Sequence, residues 1–198
     1  MKKNFWRKPY VSGFSLYVIS DRVNISVEMT DGNQAYICTN ADEKVKLIKD
    51  FRKGARRTGP SRYILRVEPG LWETTGEAAI YIPVETTLFN LSINCDRCDA
   101  ALHSMVQRKN HCGTVENLSI QAENIKVEGV NVSERTFLCS TQGITKGSVT
   151  YDICCNDFRA DTTILSNNAN IVIGDEGIDK SGSYMLESWI DLKVCSTE

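Results

Sequence analysis

An all-β fold is what this sequence of 198 residues predicts, on three observations. Apolar and polar residues alternate with period two in run after run. Turn residues punctuate those runs at short intervals. No long stretch repeats at the helical period. Strict alternation aims one face of an extended chain at a core and the other at water, which is how a strand is built. A layered stack of short strands is favoured, and a two-sheet β-sandwich is the alternative.

From the N-terminus, residues 1–13 (MKKNFWRKPYVSG) read as an extension, because Arg7, Lys8 and Pro9 interrupt the place where the apolar segment of a signal peptide would sit. The first strands are FSLYVIS (14–20), VNISVEM (23–29) and QAYICTN (34–40), the last two parted by the turn-forming TDGNQ. Residues 43–53 place Val45, Ile48 and Phe51 at helix-compatible spacing, but so short a stretch does not hold a helix in water. It is read as strand KVKLI (44–48) followed by a basic loop over 49–61. RYILRVE (62–68) and AAIYIPV (78–84) flank the turn text EPGLWETTG, and TLFNLSIN (87–94) runs into CDRC. Beyond it come VENLSIQ (115–121), NIKVEGV (124–130), TFLCS (136–140), SVTYDICC (148–155), DTTIL (161–165) and NANIVIG (168–174). In the last run, YMLESWIDLKV (184–194), Leu186, Ser188, Ile190, Leu192 and Val194 share one face, as in an outer or capping strand.

A loose repeat favours the layered form. NLSI at 90–93 recurs unchanged at 117–120, and related Asn-led strands follow as NIKVEG and NIVIGD, at irregular offsets. Asn stacked above Asn at successive layers can ladder its amide hydrogen bonds. No Pro follows Pro83, so every later residue can donate to a ladder on either side.

Apolar content of 41% with 24% charged residues is that of an ordinary globular chain, long enough for one domain to bury its own core. No apolar run approaches the roughly 20 residues of a membrane-spanning helix. The chain as it stands therefore reads as cytoplasmic; a leader outside it would make it secreted or cell-surface. The net charge of −2 hides an asymmetry, since residues 1–62 carry 13 Lys and Arg against 6 Asp and Glu. The surplus gathers in KVKLIKDFRKGARRTGPSR, where Lys49, Arg52, Lys53, Arg56, Arg57 and Arg62 are candidate contacts for a protein or an anionic surface. Nucleic acid is disfavoured because no aromatics interleave there to stack bases. The bland reading is a solvated loop with charges that guard a strand edge.

Eight cysteines and four sequons (Asn24, Asn90, Asn117, Asn131) leave three readings open: reduced core thiols, disulfides of a secreted glycoprotein, or a metal site. Cys95 and Cys98 point to opposite faces in a straight strand and converge only if Asp96 and Arg97 turn. With His103 and Cys112 downstream they would supply the four ligands of a tetrahedral zinc, although the second knuckle usual in structural zinc sites is missing. The adjacent Cys154 and Cys155 must face opposite sides of their strand. GARRTGPS spaces its glycines like a phosphate loop, but Pro60 stands where Lys is needed. Carboxylates cluster as Asp152, Asp157 and Asp161 and as Asp175, Glu176 and Asp179, where solvated corners are the usual fate. Trp6, Trp72 and Trp189 read as lids on the ends of a stack or as contact residues.

The succession VNISVEMTDGNQAYICTN, AAIYIPVETTLFNLSINCDRCDAAL and TVENLSIQAENIKVEGVNV resembles the bacterial putative-adhesin β-strand repeat family. Ile80, Ile82 and Pro83 match its Ile-x-Ile/Leu-Pro signature, and the likeness spans residues 14–194. The resemblance implies a right-handed, single-stacked β-solenoid-like domain without catalytic residues; the eight thiols and CDRC depart from its pattern. The expectation is thus a noncatalytic, adhesin-like scaffold or binding module without a cofactor, recognising a partner along a sheet face or the basic loop. The rivals are a zinc-stabilised Cys/His protein and a secreted, disulfide-linked, partner-binding glycoprotein.

Overall fold

Alternation in the sequence becomes seventeen strands in a computed structural model that describes residues 2–7, 13–40, 44–50, 61–70, 75–104, 113–140, 148–153, 161–166, 169–173, 176–178 and 192–195. In chain order they are β1 (Lys2–Arg7), β2 (Gly13–Asp21), β3 (Val23–Thr30), β4 (Gln34–Thr39), β5 (Lys44–Asp50), β6 (Ser61–Glu68), β7 (Gly76–Pro83), β8 (Thr87–Asp96) and β9 (Ala100–Ser104). There follow β10 (Gly113–Ala122), β11 (Ile125–Glu128), β12 (Val130–Ser140), β13 (Val149–Ile153), β14 (Asp161–Leu165), β15 (Ala169–Ile173), β16 (Glu176–Ile178) and β17 (Leu192–Cys195). No helix occurs among the described residues, so none there is long and apolar enough to cross a membrane.

The strands form two mixed sheets. The nine-stranded sheet A runs β1-β4-β7-β3-β9-β11-β13-β15-β16, and the eight-stranded sheet B runs β17-β14-β12-β10-β8-β2-β6-β5. From β8 to β15 the chain alternates between them, even strands in B and odd strands in A, so that each strand pairs in parallel with the one two places on. The fold is therefore all-β with two sheets, the alternative that the sequence left open. The single-stacked arrangement does not describe the whole. The pair β2/β3 is inserted between β6/β7 and β8/β9, and antiparallel partners close the sheets at β1-β4-β7, β5-β6 and β15-β16. Residues 1–13, read as an extension, carry β1, and Lys44–Asp50 is a strand, not a helix.

The inward residues of both sheets make one core. Sheet B sends in Leu16, Val18, Leu91, Ile93, Leu118, Ile120 and Leu138, and sheet A sends in Ile25, Val27, Leu102, Ile125, Val127 and Tyr151, all buried. Each Leu or Ile so buried contributes roughly 1.5–3 kcal/mol. The NLSI repeat is a register device: Asn117, Leu118, Ser119 and Ile120 lie directly opposite Asn90, Leu91, Ser92 and Ile93. The two Asn amides do not bond to each other. Asn90 Nδ2 donates to Ser15 Oγ at 3.1 Å, and Asn117 Nδ2 donates to the Phe89 carbonyl at 3.2 Å.

The expected side-chain ladder runs instead along the corner where sheet B hands over to sheet A. The Asp99 N–H donates to Asn24 Oδ1, the Asn124 N–H to Asp99 Oδ1, and the Ser148 N–H to Asn124 Oδ1, at 3.0, 3.0 and 3.2 Å. Each corner thus satisfies a backbone donor of the next layer that no strand pairing reaches.

Candidate functional site

CDRC lies on this corner. Cys95 ends the inward alternation of β8, Arg97 takes φ of 57°, and the chain folds over so that Cys98 also faces the core, with exposures of 1% and 3%. The layer beneath is built alike. Ser20 pairs with Cys95 and Asp21 with Asp96, and Arg22 shares the φ of 57°. The text Ser20-Asp21-Arg22-Val23-Asn24 is thus repeated as Cys95-Asp96-Arg97-Cys98-Asp99, thiols standing where the other layer has Ser and Val. Ser20 Oγ donates to the Val23 carbonyl at 2.6 Å, while Cys95 Sγ reaches the Asp99 carbonyl at 3.8 Å. Arg97 ties the layers outside, with Nη2 at 2.8 Å from Asp21 Oδ1.

Of the four residues named for zinc, the structure brings Cys95 and Cys98 together and places His103 elsewhere. His103 is on the outer face of sheet A, its Nδ1 at 3.1 Å from Glu128 Oε2. Cys112 lies outside the described residues, among which no three His, Cys, Asp or Glu are placed to hold a metal. Of the basic set, Lys49 and Arg62 sit on β5 and β6, where Lys49 Nζ lies 5.2 Å from the Tyr63 ring centre and the Arg62 guanidinium 4.1 Å from that of Tyr17. Arg52, Lys53, Arg56 and Arg57 fall outside the described residues, as do Cys154, Cys155, Trp72 and Trp189. Two sequon amides, those of Asn90 and Asn117, are the donors that join layers of sheet B.

The feature that sequence reading missed is a trough of about 590 Å³ across the outer face of sheet A. Register builds it. Outward residues Ala79, Ser26 and Ala101 of β7, β3 and β9 stand side by side, and their small size leaves a floor close to the backbone. Cys38 of β4 closes one end of this row and Lys126 of β11 the other. Glu77, Asn24, Asp99 and Asn124 form the wall on the corner side. On the opposite side runs a row of larger residues. Tyr81, Glu28, His103 and Glu128 are in register across β7, β3, β9 and β11. Tyr81 continues into Tyr36 of β4, the rings stacked 4.8 Å apart with Lys2 Nζ over the outer one. Burial and the charge of Glu28 push the Tyr81 phenol up from its ordinary value, so it stays a donor. The signal available in the sequence was the repeated Asp-Arg-x-Asn/Asp corner, which aligns β3 with β9 and hence Ser26 with Ala101.

An all-β protein of two sheets with an open trough on one outer face is the class these features define. No family model matches the chain, and no curated protein matches it either. Among solved structures it is similar to a putative cell adhesion protein from Clostridium sporogenes ATCC 15579, at 6% sequence identity and a TM-score of 0.35, over 100% of this chain and 99% of that one. Similarity that remote transfers neither a family nor a function.

Proposed function

We propose that the protein is a noncatalytic, adhesin-like binding module that takes its partner on the outer face of sheet A, in the trough over Ala79, Ser26 and Ala101. The observation that carries this is the trough itself, whose volume falls in the range of small-ligand sites. Its walls are acceptors more than donors: Glu28, Glu77 and Asp99 against Lys126, with Asn24, Asn40 and Asn124 between them. Such a surface suits a ligand rich in hydroxyl or amine donors, bound by planar side chains that accept in pairs. Strand ladders on both sides hold the walls, so little conformational freedom is lost on binding.

Replacing Ala101 by Trp fills the floor from an outward position without touching the core. Arrays of immobilised glycans and short peptides are probed with the labelled chain and with A101W. The expected result is a set of array members bound by the parent and lost, by tenfold or more, in a variant that melts at the same temperature. Equal binding by A101W, or no member bound by the parent, would sink the proposal.

A further inference from the structure

Among the described residues, one pair of thiols meets in a single corner, and nothing in the binding reading uses it. Cys95 and Cys98 are both free, both turned into the core from the two sides of the Asp96-Arg97 turn, and enclosed by the layer of Ser20 and Val23. The chain would have no need of thiols here for shape alone, since the equivalent corner folds with Ser20 and Val23. We propose that Cys95 and Cys98 form a reversible disulfide site, oxidised by a small peroxide, whose closure shifts the corner carrying Asp99. This rests on thiol geometry and stands whatever the trough binds.

The two sulfurs are not equivalent. Cys98 is drawn below the ordinary thiol range, first by the neighbouring Cys95 thiol, against the opposing effect of burial, with help from the Ser20 side chain and the backbone of Val23 and Arg22. Cys95 is pushed up, first by the neighbouring Cys98 thiol, then by burial and the charge of Asp99. Cys98 is also the less enclosed of the two, at 3% exposure against 1%, so it is the sulfur that meets the oxidant first and Cys95 the resolving thiol. In the first step the Cys98 sulfur attacks one oxygen of hydrogen peroxide. The O–O bond breaks, Cys98 becomes a sulfenic acid, and the departing hydroxide takes a proton to leave as water. In the second step the Cys95 sulfur attacks the Cys98 sulfur, the S–O bond breaks, and the oxygen leaves with the Cys95 proton as a second water. Two thiols lose two electrons and two protons, and one peroxide gains them. A small oxidant is required because both sulfurs are buried, at 1% and 3% exposure.

Closure draws Cys95 Sγ away from the Asp99 carbonyl, its present partner at 3.8 Å. Asp99 is also the middle of the corner ladder, accepting from Asn124 and donating to Asn24, and it forms part of the trough wall. Sulfur chemistry inside the core is thereby transmitted to the outer face through one residue.

The test treats the folded full-length chain with stoichiometric hydrogen peroxide, quenches it, unfolds the chain in denaturant containing N-ethylmaleimide to block every remaining thiol, and maps peptides by mass spectrometry before and after dithiothreitol. The expected product is a Cys95–Cys98 peptide two hydrogens lighter and unblocked, returned to two blocked thiols by reduction. In C95S, dimedone added with the denaturant should trap the sulfenic acid on Cys98, while C98S should leave Cys95 blockable once unfolded. Amide exchange at Asp99 and Asn124 should change on oxidation and recover on reduction. Both thiols still blocked after treatment, or a bridge from either to Cys112, overturns the site. A disulfide that leaves exchange at Asp99 unaltered overturns the coupling to the corner. Neither result depends on a ligand, so failure here is separable from failure of the binding reading.

Discussion

At the scale of single residues, the molecule uses polar side chains where backbone groups would go unmet and keeps the hydroxyl of its most deeply buried described tyrosine paired. Tyr151 is fully buried, and its hydroxyl lies 3.2 Å from Thr136 Oγ1. Burial pushes the phenol up to about 12, the Thr136 bond acting the other way. The folded state therefore holds this proton more tightly than the unfolded chain, whose phenol titrates at about 10. Stability from this group is complete below about pH 10 and is lost as pH rises towards 12, by roughly 3 kcal/mol in total. Y151F lacks the group that titrates. Urea midpoints measured from neutral pH up to about pH 11 should fall more steeply for the parent than for Y151F; parallel curves would contradict the assignment. CDRC was half legible at this scale. Its convergence required a turn at Asp96 and Arg97, and the turn is there, but His103 belongs to the strand after the corner and faces outward, away from the two thiols it was grouped with. In a strand, one residue of phase decides the face.

At the scale of elements, period two located most strands, and the NLSI repeat marked a true register. Others were illegible for physical reasons. β9, Ala100–Ser104, is short, begins with two alanines of poor strand propensity, and follows turn text; only pairing with β3 and β11 makes it a strand. β1 is a basic segment whose place is given by β4, far along the chain. The trough was invisible because Ala79, Ser26 and Ala101 carry no distinctive chemistry until register lines them up. One close approach makes an element-scale prediction. Gly13 opens β2 against Thr87 of β8, and a Cβ at this position would overlap the Thr87 carbonyl oxygen. The obstacle is backbone and cannot rotate away. G13A should cost about 1–3 kcal/mol in urea unfolding, with unchanged far-ultraviolet dichroism. A cost below roughly 0.5 kcal/mol would show that the two strands part more readily than the ladder implies.

At the scale of the whole molecule, what the layers leave open is the ends. β5 closes the strand order of sheet B among the described residues, and it carries exposed Lys44 and Lys46 beside the outward Ile48. Lysines on a sheet edge discourage another copy from adding a strand. The guarding role read from the sequence therefore has a place in the fold. K44V/K46V should self-associate in a concentration-dependent way by light scattering, while the parent does not; a monodisperse variant would remove the role.

The insertion of β2/β3 between β6/β7 and β8/β9 has a consequence for birth and decay. β2 and β3 precede all their parallel neighbours in the chain, so during synthesis they have none of those partners until β6 and β7 follow on one flank and β8 and β9 on the other. Trimming from the carboxyl end sheds tiers one after another from a single side. Excision of β2 and β3 would cleave the stack through its middle and orphan a tier on each side of the gap.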